Sequence, residues 1–178
     1  MSIVIYSKGV LGGDRRSVVD GTAWSASLQE FLKIHKHESN TFAIGITGHM
    51  PGPRSLKAIM STMYTMLLKH HIEDSSESMT LTDEIKDTLF NETRNSIIVM
   101  TASDTWLMEK IQKQWVEITH MDYFMGNGAA AAVICIAAGL DVSQSIGELS
   151  FVSTECGPER DIVKMKELTL FSVEASND

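Results

Sequence analysis

The histidines and cysteines are the first residues to test for metal or nucleophilic chemistry. His35-Lys36-His37 and His70-His71 bring imidazoles together in pairs, and strand alternation would put His35 and His37 on one face. A zinc site needs three or four N, S or carboxylate donors around one point. No Cys or carboxylate is spaced to complete such a set, so the pattern predicts solvated histidines and no metal. Serine chemistry of the nucleophile-elbow type needs G-x-S-x-G, which does not occur. Gly126-Asn127-Gly128 lacks the rest of a dinucleotide fingerprint, and no cofactor is expected. Asp14 and Lys33 offer one acid and one base. From the residues alone they read equally as a structural ion pair or as the charged part of a site. Gly48 reads as a residue that permits a tight turn.

The bulk composition narrows the partners. The 178 residues suit a single domain, 1–178, large enough to bury an apolar core without disulfides or metals. The net charge of −8, from 15 basic and 23 acidic residues, repels phosphate backbones. Nucleic acid is therefore not expected. The longest strongly apolar stretch, 129–140, is too short to span a bilayer. No basic region precedes the apolar residues near Met1, so no signal peptide is expected. Cys135 and Cys156 cannot define a disulfide framework and fit a reducing compartment, which gives a cytoplasmic expectation.

The elements that must position these residues follow from periodicity. Residues 2–6 are β-branched and aromatic and predict a strand. Lys8-Gly9 is a turn signal, and residues 10–13 return as a second strand ending at Asp14. Residues 27–33 read as a short strand or one helical turn. Residues 41–47 predict a buried strand ending at Gly48. Over 55–71, Leu56, Ile59, Met60, Met63, Met66 and Leu67 recur at three- and four-residue spacing. That predicts a helix whose methionines form core or an inter-subunit face, with Ser55 as its cap. A shorter helix is expected over 83–92. Strands are expected over 96–102 and 105–111, with Trp106 and Trp115 as packing residues. Residues 123–125 then lead into a helix over 129–138 that ends at Gly139. Another helix starts at Asp141, and closing strands are expected over 161–165 and 168–173. Two helices between strand pairs argue against a doubly wound sheet. They suit two antiparallel sheets packed face to face, each covered by a helical pair.

At this point the chain resembles proteasome β-subunits and the related bacterial HslV-type protease over nearly all its length. Four pieces carry the resemblance. Gly13-Asp14-Arg15-Arg16 is similar to the family's Asp-x-Arg step after its second strand. Lys33 followed by Phe42-Ala43-Ile44-Gly45-Ile46-Thr47-Gly48 is similar to its lysine and glycine-terminated strand. Phe124-Met125-Gly126-Asn127-Gly128-Ala129 is similar to its strand, Gly-Ser-Gly and helix entry. Ser153-Thr154-Glu155-Cys156-Gly157 is similar to its Asp-x-x-Ser-Gly loop. The resemblance implies an α+β, four-layer α/β/β/α sandwich of the N-terminal-nucleophile (Ntn) hydrolase kind.

It also implies a site. Removal of Met1 would expose Ser2, whose hydroxyl is the nucleophile and whose α-amine is the base. An α-amine titrates near 7.7–8.0, low enough to be neutral at physiological pH. Lys33 held by Asp14 would add positive charge beside it, and the Gly48 amide would stabilise the oxyanion. Arg16, Asn127 and Ser153 would support the arrangement. Ser2 to Asp14 is an even step along the hairpin, which keeps the side chains in phase. The chain departs from the family at Ser2 in place of threonine, Asn127 in place of serine, Ser153 in place of an acid and Cys156 in place of serine. Val18 stands near a usual threonine. The implied function is a peptidase or amidohydrolase acting on peptides or another amide. It would work as a homo-oligomer, as a ring or stacked rings, and with an unfoldase as a further partner. The competing reading is a catalytically inactive structural or binding subunit that keeps the fold.

Overall fold

The computed structural model describes residues 3–19, 22–25, 32–48, 52–73, 96–109, 114–153, 156–157 and 159–172. It opens with β1 (Val4–Ser7) and β2 (Val10–Asp14), joined by the Lys8-Gly9 turn. Lys8 sits at φ 48° and Gly9 at φ 74°. Two consecutive left-handed residues make a turn whose twist matches the flanking strands. The hairpin lies at the centre of a four-stranded sheet of order β10-β1-β2-β11, with β10 at Tyr123–Met125 and β11 at Arg160–Lys164. A second sheet runs β5-β6-β7-β8-β9: Ile34–Lys36, Phe42–Thr47, Ser96–Thr101, Thr105–Glu109 and Gln114–Glu117. A separate ribbon pairs β3 (Arg16–Val19) with β4 (Thr22–Ser25). Every strand pairing among the described residues is antiparallel.

Three apolar clusters organise the packing. Val4, Tyr6 and Leu11 of the first sheet meet Ile34, Ala43, Ile98 and Met100 of the second. Gly45 lets the two sheets approach here, because a Cβ at that position would lie 2.7 Å from Val4 Cγ1. On the other face of the second sheet, Phe42, Ile44, Ile46, Ile97 and Val99 pack against helix α1 (Pro53–Glu73). Its buried side is Ile59, Met60, Met63, Met66 and Leu67, so the spacing read from the sequence is the packed face. On the outer face of the first sheet, Ile3 and Ile5 meet Ala132 of α2 (Ala129–Ala137) and Val142, Ile146 and Leu149 of α3 (Val142–Val152). The opposite sides of α2 and α3 leave Val133, Ile134, Phe151 and Val152 exposed.

Some expectations change. The long helix starts at Pro53, so Ser55 lies inside it and does not cap it. Proline suits a first helical turn because its missing N–H has no partner there anyway. Residues 168–172 form no strand; a 3₁₀ turn at Met165–Glu167 leads them away from the sheet. The short strands β3, β4, β5 and β9 were not foreseen, since three or four residues give alternation too little length to show. The element expected over 27–33 lies mostly outside the described residues, and the helix expected over 83–92 lies wholly outside them.

Candidate functional site

The last residue of β2 carries a heavily bonded buried side chain. Asp14 is fully buried. Its Oδ1 accepts from the Ile3 amide at 2.9 Å and from Lys33 Nζ at 2.7 Å. Its Oδ2 accepts from the Arg16 amide at 3.1 Å and the Gly157 amide at 3.2 Å. Four donors satisfy the carboxylate, which is what a buried charge requires.

Lys33 enters from the residue before β5 and is 3% exposed. The Ile46 amide donates to its carbonyl at 2.8 Å, which fixes it against β6. Besides Asp14 Oδ1, Nζ donates to the main-chain oxygens of Asp14 at 3.0 Å and Arg16 at 2.6 Å. An ammonium has three protons, and here three acceptors take them. Burial pushes the Lys33 pKa down, opposed by the charge and hydrogen bond of Asp14.

The loop after α3 completes the node. Cys156 is fully buried. A Cβ on Gly128 would lie 3.4 Å from its sulfur and 3.4 Å from Ile3 Cβ, so the thiol packs between the α2 entry and the start of β1. Burial pushes the Cys156 thiol up, and the Asp14 charge adds to this. A hydrogen bond with Ser153 acts the other way. The Cys156 amide also donates to the Ser153 carbonyl at 3.3 Å.

The residues singled out in the sequence therefore separate. Asp14, Lys33 and the main chain of Arg16 meet directly. Ser153 joins through Cys156. Gly48, at φ 101°, is exposed two residues beyond the Ile46 contact with Lys33. Asn127 is exposed in the turn between β10 and α2. Ser2 lies outside the described residues; its neighbour Ile3 is held by Asp14. The sequence reading missed the Ile3 and Gly157 amides, since a main-chain donor leaves no signature in residue type.

The histidines are not solvated as expected. His37 stacks between Phe42 and Tyr64 with centroids 4.8 Å away on each side. His70 and His71 pack on Trp106. Their aromatic rings make them half-buried packing residues. Among the described residues no three His, Cys, Asp or Glu side chains converge to hold a metal ion, and no helix is long and apolar enough to cross a membrane.

No protein-family model and no curated protein sequence matches the chain. Solved structures do. Eukaryotic HslV from Trypanosoma brucei is similar with a TM-score of 0.58 at 14% identity, over 91% of this chain and 97% of that one. BPH from Thiobacillus denitrificans is similar with a TM-score of 0.56 at 14% identity, over 93% and 98%. Anbu, an ancestral beta-subunit, from Yersinia bercovieri is similar with a TM-score of 0.56 at 11% identity, over 93% and 82%. At these identities the likeness shows the fold that these structures share, and leaves activity to the site.

Proposed function

We propose that this chain is a cytoplasmic Ntn hydrolase of the proteasome and HslV kind, a peptidase or amidohydrolase. In this reading 1–178 is one four-layer α/β/β/α domain. Ser2, freed by removal of Met1, attacks the amide carbonyl, and its α-amine takes the proton. The Gly48 amide stabilises the oxyanion. The single observation behind the reading is the Asp14–Lys33 pair. Asp14 binds both the Lys33 ammonium and the amide of Ile3, so its carboxylate links the ammonium to the residue that follows the proposed nucleophile. In this reading the positive charge of Lys33 acts on Ser2 and lowers the pKa of both the hydroxyl and the amine. Arg16 contributes its main-chain carbonyl, and Ser153 steadies Cys156. Asn127 takes the place of a serine in the helix-entry turn. The chain works as a homo-oligomer, through the exposed apolar faces of α2 and α3, on a peptide or other amide delivered with or without an unfoldase.

One observation favours the second reading, a catalytically inactive structural or binding subunit. The three protons of Lys33 are all directed at Asp14 and Arg16 oxygens. In that arrangement none is left for a Ser2 hydroxyl.

Intact mass and covalent labelling together separate the two readings. The active enzyme loses Met1 and is labelled once by an electrophile selective for N-terminal hydroxyl nucleophiles. Ser2→Ala abolishes labelling, and Lys33→Ala slows it by about a hundredfold, the usual cost of one such group. Retained Met1, or labelling that survives Ser2→Ala, removes the hydrolase reading. Loss of Met1 without any labelling supports the inactive subunit.

A further inference from the structure

The C-terminal segment crosses between two apolar clusters within four residues. Leu168 is buried between the sheets, and Phe171 packs on the cluster of α1 and the second sheet. Three extended residues cover about 10 Å, which is also the spacing of stacked layers. The segment is tied halfway across at the β5–β6 turn. The Thr169 amide donates to the Asn40 carbonyl at 2.9 Å. Asn40 Nδ2 donates to the Glu167 carbonyl at 3.0 Å and to Thr169 Oγ1 at 3.3 Å.

Beyond Thr169 the hold is aromatic. The Phe171 ring lies parallel on the His71 imidazole, with centroids 4.9 Å apart and planes at 9°. It also reaches Tyr64 at 5.9 Å, and Tyr64 stacks on His37. The remaining neighbours of His71 are Trp106 at 5.9 Å and His70 at 5.2 Å. Among the described residues neither His71 Nε2 nor His70 Nδ1, both buried, has a hydrogen-bond partner.

The groups facing His71 pull both ways. Asp104, in the turn before β8, attracts a proton to it, and the face of the stacked Phe171 ring favours a cation. Burial and His70 oppose one. Burial is the largest influence and His70 the next, and together they outweigh Asp104, so the His71 pKa falls below its ordinary value. His37 falls too, through burial, with Glu38 opposing.

We propose that the Phe171–His71 stack is a proton-sensitive latch on the C-terminal segment. Neutral His71 holds residues 169–172 against α1, and protonation releases them and uncovers the Met-rich cluster beneath. The sign follows from the geometry: Phe171 covers His71, and an imidazolium there would place a charged N–H at Nε2 with no acceptor among the described residues, in keeping with the lowered pKa. A histidine that binds its proton less readily in the latched state contributes stability above its free pKa of about 6.5. That stability is lost as the pH falls from there through the lowered pKa. The latch does not depend on Ser2 or on catalysis.

Hydrogen exchange of the Thr169 amide, corrected for intrinsic exchange, reads the latch directly. In the wild type its protection should fall severalfold from pH 7.5 to pH 5.5. His71→Phe keeps an aromatic stack without a proton site and should stay protected at both. Phe171→Ala removes the partner ring and should be unprotected at both. Equal wild-type protection at the two pH values overturns the proposal. So does a full pH response retained in either variant.

Discussion

Asp14 and the His70–His71 pair both bury polar atoms, and the two regions treat them in opposite ways. Asp14 accepts four hydrogen bonds, from residues 3, 16, 33 and 157. Among the described residues His70 Nδ1 and His71 Nε2 have no hydrogen-bond partner; His70 packs on Trp106 and His71 on Phe171. A fully satisfied charge cannot be removed without stranding its partners. An unsatisfied imidazole strands no partner when it leaves, and burial already disfavours a proton on His71. The first arrangement gives rigidity at one end of β1. The second gives a region whose hold on the chain depends on a proton.

The largest effect should come from breaking the satisfied node. Asp14→Ala leaves a buried ammonium and amide donors without acceptors, so unfolding in urea should show a loss of about 3–5 kcal/mol. A loss below about 1 kcal/mol would mean that water reaches Lys33 and that the node is not a closed one. A satisfied but exposed polar group should matter less. Asp141 caps α3, accepting from the Gln144 amide at 2.7 Å while its own amide donates to Gln144 Oε1 at 3.0 Å. Asp141→Ala should cost about 1 kcal/mol in the same assay. The smallest effect belongs to the unsatisfied pair. His70→Leu removes a stranded nitrogen and keeps the apolar contact with Trp106. Stability at pH 7.5 should change by only about 0.5 kcal/mol, in either direction. A loss as large as that of Asp14→Ala would erase the contrast between the regions.

The sequence carried much of the frame. Lys8-Gly9 between β-branched runs is a local turn signal, and the β1–β2 hairpin follows from it. The α1 face was readable because one stripe on one long helix sets six apolar residues, from Leu56 to Leu67, at three- and four-residue spacing. Gly139 and Asp141 marked the break between α2 and α3 through backbone chemistry at helix ends. What stayed hidden has physical causes as well. Gly157 contributes an N–H that any non-proline residue possesses, so only the folded chain shows its aim at Asp14. His70 and His71 read as surface residues because imidazole is polar in composition, although its ring packs like an aromatic one. Residues 168–172 look like a strand by composition, yet they pair with none and cross between layers. The pairing of Asp14 with Lys33 followed from family resemblance and not from spacing.

The strand order also has a consequence for the order of events during synthesis. The five-stranded sheet is sequential, each strand pairing with the next to be made. The four-stranded sheet is not. Its central hairpin, β1–β2, is made before the other described strands, and its flanking strands are β10 and β11. The Gly157 amide that completes Asp14 lies 143 residues downstream. At translation rates of about 5–20 residues per second, the hairpin waits on the order of ten seconds with both edges open. Over that interval the apolar strand Val4-Ile5-Tyr6 has no partner on one side, and Asp14 lacks its fourth donor. The β1–β2 residues are thus made before the other described strands and are locked in place only by β10, β11 and Gly157. Any site built on them is assembled only after β11 and the Gly157 amide have been made.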